Sequence, residues 1–514
     1  MSVKNIYRLV SILLIIQVVF YIYSLFGRIP DIDDAWIGEH AYWMAKEGHV
    51  RSELMRGWTQ QENRVMIHHK LLTLHGVGFI KMFGFSVYTL KAVSLLYFTL
   101  FLIAFYYYTR RLKKIFNPAQ FTLAIMLIFT FHFVFKFSFL FRPEIMIMFL
   151  TFISFLLLEK IIEGNLHSFS LSLLSGILGG LCIVAHLNGV AVAIAGGVLL
   201  IWNRKLKELF IFSIGTIIGL SLYFYDFSGE YGFLFWKNQL LQSVVGSENG
   251  SSDLIIYMLN SFLKEHMRFF HDLSIIPFSL LFFTMLIAGF GYLKNRQKLM
   301  LQYTFLLWLF VALIFTQKSR QYILIYLPFM IIFLSLFLDS MINNRQDLAS
   351  WVYRKHIRVL VSVFLLFYLI SVSYYNIRTS REKFDPQLKR SLMKTYIPGN
   401  QSSMRIVAPM DYIFNEIEYF KSIQGERLYT TLQKFDKTIY GSGFLKKAID
   451  FNIDYIVLSR GYRYNLGMEN IRINDTLSGF RVIYYTQKLS ILKFEPIIRK
   501  KTADNTDLLN SSGN

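Results

Sequence analysis

Apolar runs, most of them about 14–20 residues long, recur between short polar stretches over most of the chain. That length matches the hydrocarbon thickness of a bilayer rather than the 3.6-residue alternation of a soluble amphipathic helix. The runs at residues 9–26, 87–109, 121–139, 145–158, 171–186, 189–202, 210–227, 273–293, 301–315, 322–338 and 359–375 predict about eleven transmembrane helices. Two longer polar loops interrupt them, at 27–86 and 228–272. Beyond residue 375 the pattern changes. Strand-like runs at 405–408, 428–431, 455–458, 482–485 and 491–494 alternate with helical stretches at 412–422 and 443–451, which predicts a soluble α/β domain over 376–514 with a polar, disordered end at 499–514. The fold class is a polytopic α-helical membrane module over 1–375 followed by that α/β unit.

Composition agrees with a lipid solvent. Hydrophobic residues make up 54% of the 514 positions and charged residues only 17%, too apolar a balance for a soluble core to absorb. The net charge of +21, from 54 Lys+Arg against 33 Asp+Glu, would suit nucleic acid if taken alone. Its placement excludes that partner. Basic residues cluster between spans, as in Arg110-Arg111-Leu112-Lys113-Lys114, Arg204-Lys205-Leu206-Lys207, Lys294-Asn295-Arg296-Gln297-Lys298 and Arg354-Lys355-His356-Ile357-Arg358. Such clusters mark the cytoplasmic side. One topology satisfies them all: the N-terminus inside, both long loops outside, and the C-terminal domain outside. The first run is followed by no small-residue cleavage site and reads as an uncleaved span, and the single cysteine, Cys182, excludes an intrachain disulfide.

The first outer loop concentrates the chemistry. Pro30 breaks the helix after the first span and three aspartates follow, Asp31, Asp33 and Asp34. A helical pattern over 35–47 with Trp36, Tyr42 and Trp43, and a second over 67–83 opening on His68-His69-Lys70, suit helices lying in the membrane interface. Asp33 and Asp34 have two readings at this point: helix cap and first-turn acid, or a catalytic carboxylate sharing the loop with basic donors. Other cations fall at the outer ends of spans, at Arg142, Lys318 and Arg320. Each is an interface anchor or a contact for an anionic ligand.

Asp33-Asp34-Ala35-Trp36-Ile37-Gly38-Glu39-His40-Ala41-Tyr42-Trp43-Met44, followed by residues 68–84 ending in Phe79-Ile80-Lys81-Met82-Phe83-Gly84, resembles the first outer loop of GT-C glycosyltransferases. The likeness is to the family 39-like group that contains protein O-mannosyltransferases and lipid A aminoarabinose transferases. Arg142-Pro143-Glu144 resembles that family's Arg-x-Asp/Glu element, and Arg320-Gln321-Tyr322 running to Leu327-Pro328 its late Arg-x-Tyr…Pro span. Two departures stand where the family often has Lys-Pro-Pro and a Lys-Gly-Pro-like turn: here are His68-His69-Lys70 and His186-Leu187-Asn188-Gly189.

The resemblance implies a GT-C fold and transfer, with inversion, of a sugar from a polyprenyl-phosphate donor to an acceptor hydroxyl of a glycolipid, polysaccharide or protein. It implies a multi-pass protein of a bacterial inner (plasma) membrane, acting on the outer face. Asp33 aligns with the family's catalytic aspartate, with Asp34 as the lesser candidate. Arg142, Lys70, His68, Lys318, Arg320 and Tyr322 are expected at the donor phosphate, with Glu144, Glu39, His186 and Asn188 in support. His68 and His69 match no strong metal-ligand spacing, so no metal or other cofactor is assigned and a divalent ion is left open. The alternative class is a transporter or a flippase for lipid-linked sugars, against which stand the lack of an internal repeat and the location of the charged motifs at span ends rather than mid-membrane.

Overall fold

The computed structural model describes residues 3–111, 117–164, 167–235, 254–289, 295–315, 318–343 and 355–495. The loop stretch 246–252, the end 499–514 and the lysines at 113, 114 and 294 lie outside them. The chain forms two compact units, Met1–Ser52 with Thr59–Pro386, and Glu53–Trp58 with Gln387–Asn514.

The first unit is helical: α1 (Val3–Ser24), α2 (Ile32–Glu47), α3 (Lys70–Phe83), α4 (Val87–Arg111), α5 (Pro118–Thr130), α6 (His132–Phe137), α7 (Glu144–Ile162), α8 (Ser168–Ala185), α9 (Val190–Trp202) and α10 (Leu206–Ser221), then further helices to Lys355–Ser380. Among the described residues, 7 helices are long and apolar enough to cross a membrane, and four shorter apolar helices occupy the remaining predicted runs. This is an integral multi-pass membrane protein.

Three expectations change. The run at 121–139 is two helices, because Phe131 is extended between α5 and α6. Asn376 satisfies the break: its Nδ2 donates to the Thr130 carbonyl at 2.9 Å and its Oδ1 lies 3.0 Å from His132 Nδ1. A backbone group freed in an apolar layer needs such a partner. The run at 322–338 begins as a 3-10 turn, Arg320–Ile325, and its α-helix starts only at Leu327, where Pro328 fits the first turn. Finally, α2 is no amphipathic surface helix. Asp34, Ala35 and every residue from Ile37 to Met44 are buried, so it packs on all sides.

Glycines bring α8 against α10. A Cβ at Gly176 would lie 2.0 Å from the Phe212 carbonyl oxygen, and one at Gly215 would lie 2.2 Å from that of Leu173. Small residues four apart, Gly176 with Gly180 and Gly215 with Gly219, let the two backbones touch. This fixes the end of α8, where the turn Leu187–Gly189 follows His186.

The second unit is a six-stranded mixed sheet of β1 (Arg405–Ala408), β2 (Ser422–Gly425), β3 (Tyr455–Ser459), β4 (Thr476–Leu477), β5 (Phe480–Tyr485) and β6 (Leu489–Phe494), in the order β2-β1-β3-β6-β5-β4. β1 runs parallel to β2 and β3, and the β3, β6, β5, β4 series is antiparallel. The strand expected at 428–431 is instead helix Glu426–Leu432, and the strand lies just before it, where all four residues of β2 are buried. A four-residue apolar run cannot be assigned by periodicity alone. Residues Glu53–Trp58 of the first loop belong here: Leu54 accepts the Gly425 amide at 2.9 Å and Glu53 accepts the Ser422 hydroxyl at 2.6 Å. Gly57, at φ +87, leaves no room for a Cβ, which would stand 2.6 Å from the Phe451 ring.

Candidate active site

The three aspartates have three different local roles. Asp31 is the N-cap of α2, and with Asp34 it forms a capping box in which an Asp34 oxygen accepts the Asp31 amide at 2.8 Å. Asp34 is fully buried and its Oδ1 has no partner. Burial pushes its carboxyl up to about 7, against the opposing pull of Lys91, the Asp31 amide and Arg142. Asp33, one residue earlier, is turned outward with its side chain 46% exposed, and its Oδ2 lies 2.7 Å from Arg142 Nη1. The capping box thus takes Asp31 and Asp34, and Asp33 is a first-turn acid outside that box.

The state of Asp34 carries a sign for stability. The folded chain keeps the proton to about pH 7, whereas a free aspartate releases it near 3.9. Stability should therefore fall as pH rises through that window and level off above it, by a few kcal/mol at most. Thermal melts of the detergent-solubilised protein between pH 4.5 and about 8 should show the decline, and Asp34→Asn should flatten it. An unchanged slope in Asp34→Asn would remove Asp34 as its origin.

Arg142 sits in the turn between α6 and α7. Its guanidinium holds Glu144 through Nε at 3.1 Å and Nη2 at 2.9 Å, while Nη1 reaches Asp33 at 2.7 Å and Asp31 at 3.7 Å. Burial works to lower its pKa, yet Glu144 and Asp33 together raise it, so the cation is secured. Lys136 of α6 adds a second positive charge, 3.8 Å from Asp31. Lys136 was not foreseen, although a lone lysine in the aromatic run His132–Phe137 was the available signal.

A second group adjoins this one. His186 Nδ1 accepts the Asn188 amide at 3.0 Å, so Nε2 carries the proton and donates to the Tyr322 hydroxyl at 2.7 Å. The His69 ring stacks on His186 at 5.0 Å, and His68 lies edge-on to it at 5.6 Å. Burial holds all three imidazoles neutral, bringing His68 down to about 4 and the other two well below their usual value. The charge of Arg142 reaches His69 and His186, which marks the two groups as neighbours.

Four expected residues have other partners. Lys70 is buried and donates to the carbonyls of Tyr223, at 3.0 Å, and Tyr225; burial pushes it down to about 8 despite Asp226. Lys318 pairs with Glu265 at 2.9 Å, beside Arg268. Arg320 pairs with Asp272, with its side chain 48% exposed. Glu39 is fully buried, accepting from Trp43 Nε1 and Ser52 Oγ, which makes it part of the α2 scaffold. Sequence reasoning placed these charges on one side of the membrane but could not assign their counter-ions, since Glu265, Asp272 and Asp226 are remote in sequence or sit in an unpatterned loop.

No family model and no curated protein matches the sequence. Solved structures do match in fold. ArnT from Cupriavidus metallidurans bound to undecaprenyl phosphate is 12% identical, with a TM-score of 0.56 over 94% of this chain and 97% of that one. The Archaeoglobus fulgidus oligosaccharyltransferase tethered with an acceptor peptide is 12% identical, with a TM-score of 0.52 over 87% of this chain and 69% of that one. At 12% identity each likeness is one of fold.

Proposed function

We propose, from the GT-C membrane fold as premise, that this chain is an inverting glycosyltransferase moving a sugar from a polyprenyl-phosphate donor to an acceptor hydroxyl on the extracytoplasmic face. The observation that carries the reading is the half-exposed Asp33 carboxylate held against Arg142 at the head of the first outer loop. Inversion at an anomeric carbon needs a base on the acceptor side and cations on the leaving-group side. In the proposed step the acceptor oxygen bonds to C1, the C1–O bond to phosphate breaks, the acceptor proton passes to Asp33, and the polyprenyl phosphate departs with the bonding pair.

Asp33 suits the base because an acceptor can reach it. Asp34 does not, being sealed from solvent and protonated until about neutral pH. Arg142 acts first as a positioning residue, since Asp33 and Glu144 occupy its donors. The carrier lipid is proposed from the undecaprenyl phosphate bound by ArnT. Mass spectrometry of lipid extracted from the purified protein tests this, with a polyprenyl phosphate or its glycosylated form expected above the level in mock-purified membranes. Finding only bulk phospholipid, together with no transfer from any polyprenyl-phosphate sugar in membranes, would sink the reading.

A further inference from the structure

We propose that His68, His69 and His186 bind a divalent transition-metal ion of the zinc class. The ligating nitrogens of these three residues all lie within 4.8 Å of one another. A tetrahedral ion with bonds near 2.0–2.1 Å needs nitrogens about 3.3 Å apart, so the rings must close by roughly 1.5 Å at most, a side-chain adjustment rather than a refolding. The chemistry of the donors fits. Neutral imidazole is the ligating form, and it suits zinc, cobalt, nickel and copper over magnesium or calcium.

Two further observations point to a ligand. His69 is buried with Nδ1 bonded to nothing, which costs free energy unless something occupies it. His40, fully buried and electrostatically coupled to His68 and His69, has neither ring nitrogen satisfied. His186 can join at the least cost through Nδ1. That exchanges the Asn188 amide for the ion and keeps Nε2–H donating to Tyr322, the outer-shell bond that orients metal-bound histidines. Ligation through Nε2 would disturb both bonds.

The consequence rests on the glycosyl-transfer reading. Around Arg142 three carboxylates, Asp31, Asp33 and Glu144, face two cations, Arg142 and Lys136. A departing phosphate adds more negative charge to a place already short of positive. An ion on the neighbouring histidines supplies it, with three protein ligands and an open position.

The test uses the full chain in detergent, stripped with chelator and reloaded with Zn²⁺ or Co²⁺. Elemental analysis should find about one ion per chain, and the cobalt form should show the intense visible absorption of a tetrahedral site. His69→Ala and, separately, His186→Gln should drop retention at least tenfold, and Tyr322→Phe should weaken it about 10–100-fold while leaving the three ligands in place. No ion above the His69→Ala background after reloading, or retention in both histidine variants equal to that of the unaltered chain, overturns the site. Transfer that is equally fast in stripped and reloaded protein overturns the role at the phosphate. Stoichiometric, histidine-dependent metal in a chain that transfers no sugar would instead uphold the site and count against the glycosyltransferase reading.

Discussion

Asp33→Asn should lower sugar transfer by about 10²–10⁴-fold, the usual worth of a positioned general base, while the protein still inserts and elutes as a folded species. The amide keeps the size of the side chain and can still accept from Arg142, so the geometry of the turn survives; what is lost is the capacity to take a proton. Asp33 is half exposed and outside the capping box of α2, so the change should cost little stability. Asp34→Asn is the comparator. Its oxygen can still accept the Asp31 amide, and a residue that is neutral below about pH 7 gives up no charge there. The reading requires the two variants to differ. Equal activity of Asp33→Asn and the unaltered chain, measured with a polyprenyl-phosphate sugar in membranes, would remove Asp33 as base, and loss confined to Asp34→Asn would move the role one residue along.

Arg142→Gln should be severe in two ways at once. Glu144 is fully buried and Arg142 is its ion-pair partner, at 2.9 Å, and removing one member of a buried pair typically costs about 3–5 kcal/mol because the other charge is left uncompensated. Asp33 loses its anchor in the same step. Folded yield and transfer should both collapse. Arg142→Lys keeps the charge but not the planar fork that serves Glu144 and Asp33 together, so it should fold and transfer poorly. The double change Arg142→Gln with Glu144→Gln separates the effects: it should recover much of the folded yield and none of the activity. If it recovers both, the guanidinium is structural and Asp33 needs no positioning; if Arg142→Gln alone folds normally, the buried pair carries less than its geometry indicates.

The parts of this molecule that are legible along the chain are those set by local physics. A bilayer demands long apolar helices with internally satisfied backbone, so hydropathy alone locates the long and shorter apolar helices found among the described residues, and Pro30 followed by three aspartates announces the acidic start of α2 whatever the rest of the fold does. Breaks inside the apolar runs are less legible. Phe131 is extended where Asn376, far along the chain, donates to the Thr130 carbonyl beside it. The placement of Glu53–Trp58 with the C-terminal sheet is illegible for the same reason: its partners, Ser422 and Gly425, follow more than three hundred residues later.

The candidate site divides along the same line. Residue types and the resemblance to GT-C enzymes single out Asp33, Arg142 and Glu144, and the folded chain brings those three together. It also separates Lys70, Lys318 and Arg320 from them, each beside a carbonyl or carboxylate of its own. An unpaired cation in a sequence looks available to a phosphate; whether it is depends on a counter-ion that only tertiary packing supplies. Contiguous residues are enough to place the long apolar helices and the acid that gathers after the first of them, because lipid burial and helix breaking act locally along the chain. Which aspartate is outward, which cations are already spent and which histidines converge were decided by the tertiary structure, because charge pairing and desolvation act through space between residues the chain keeps apart.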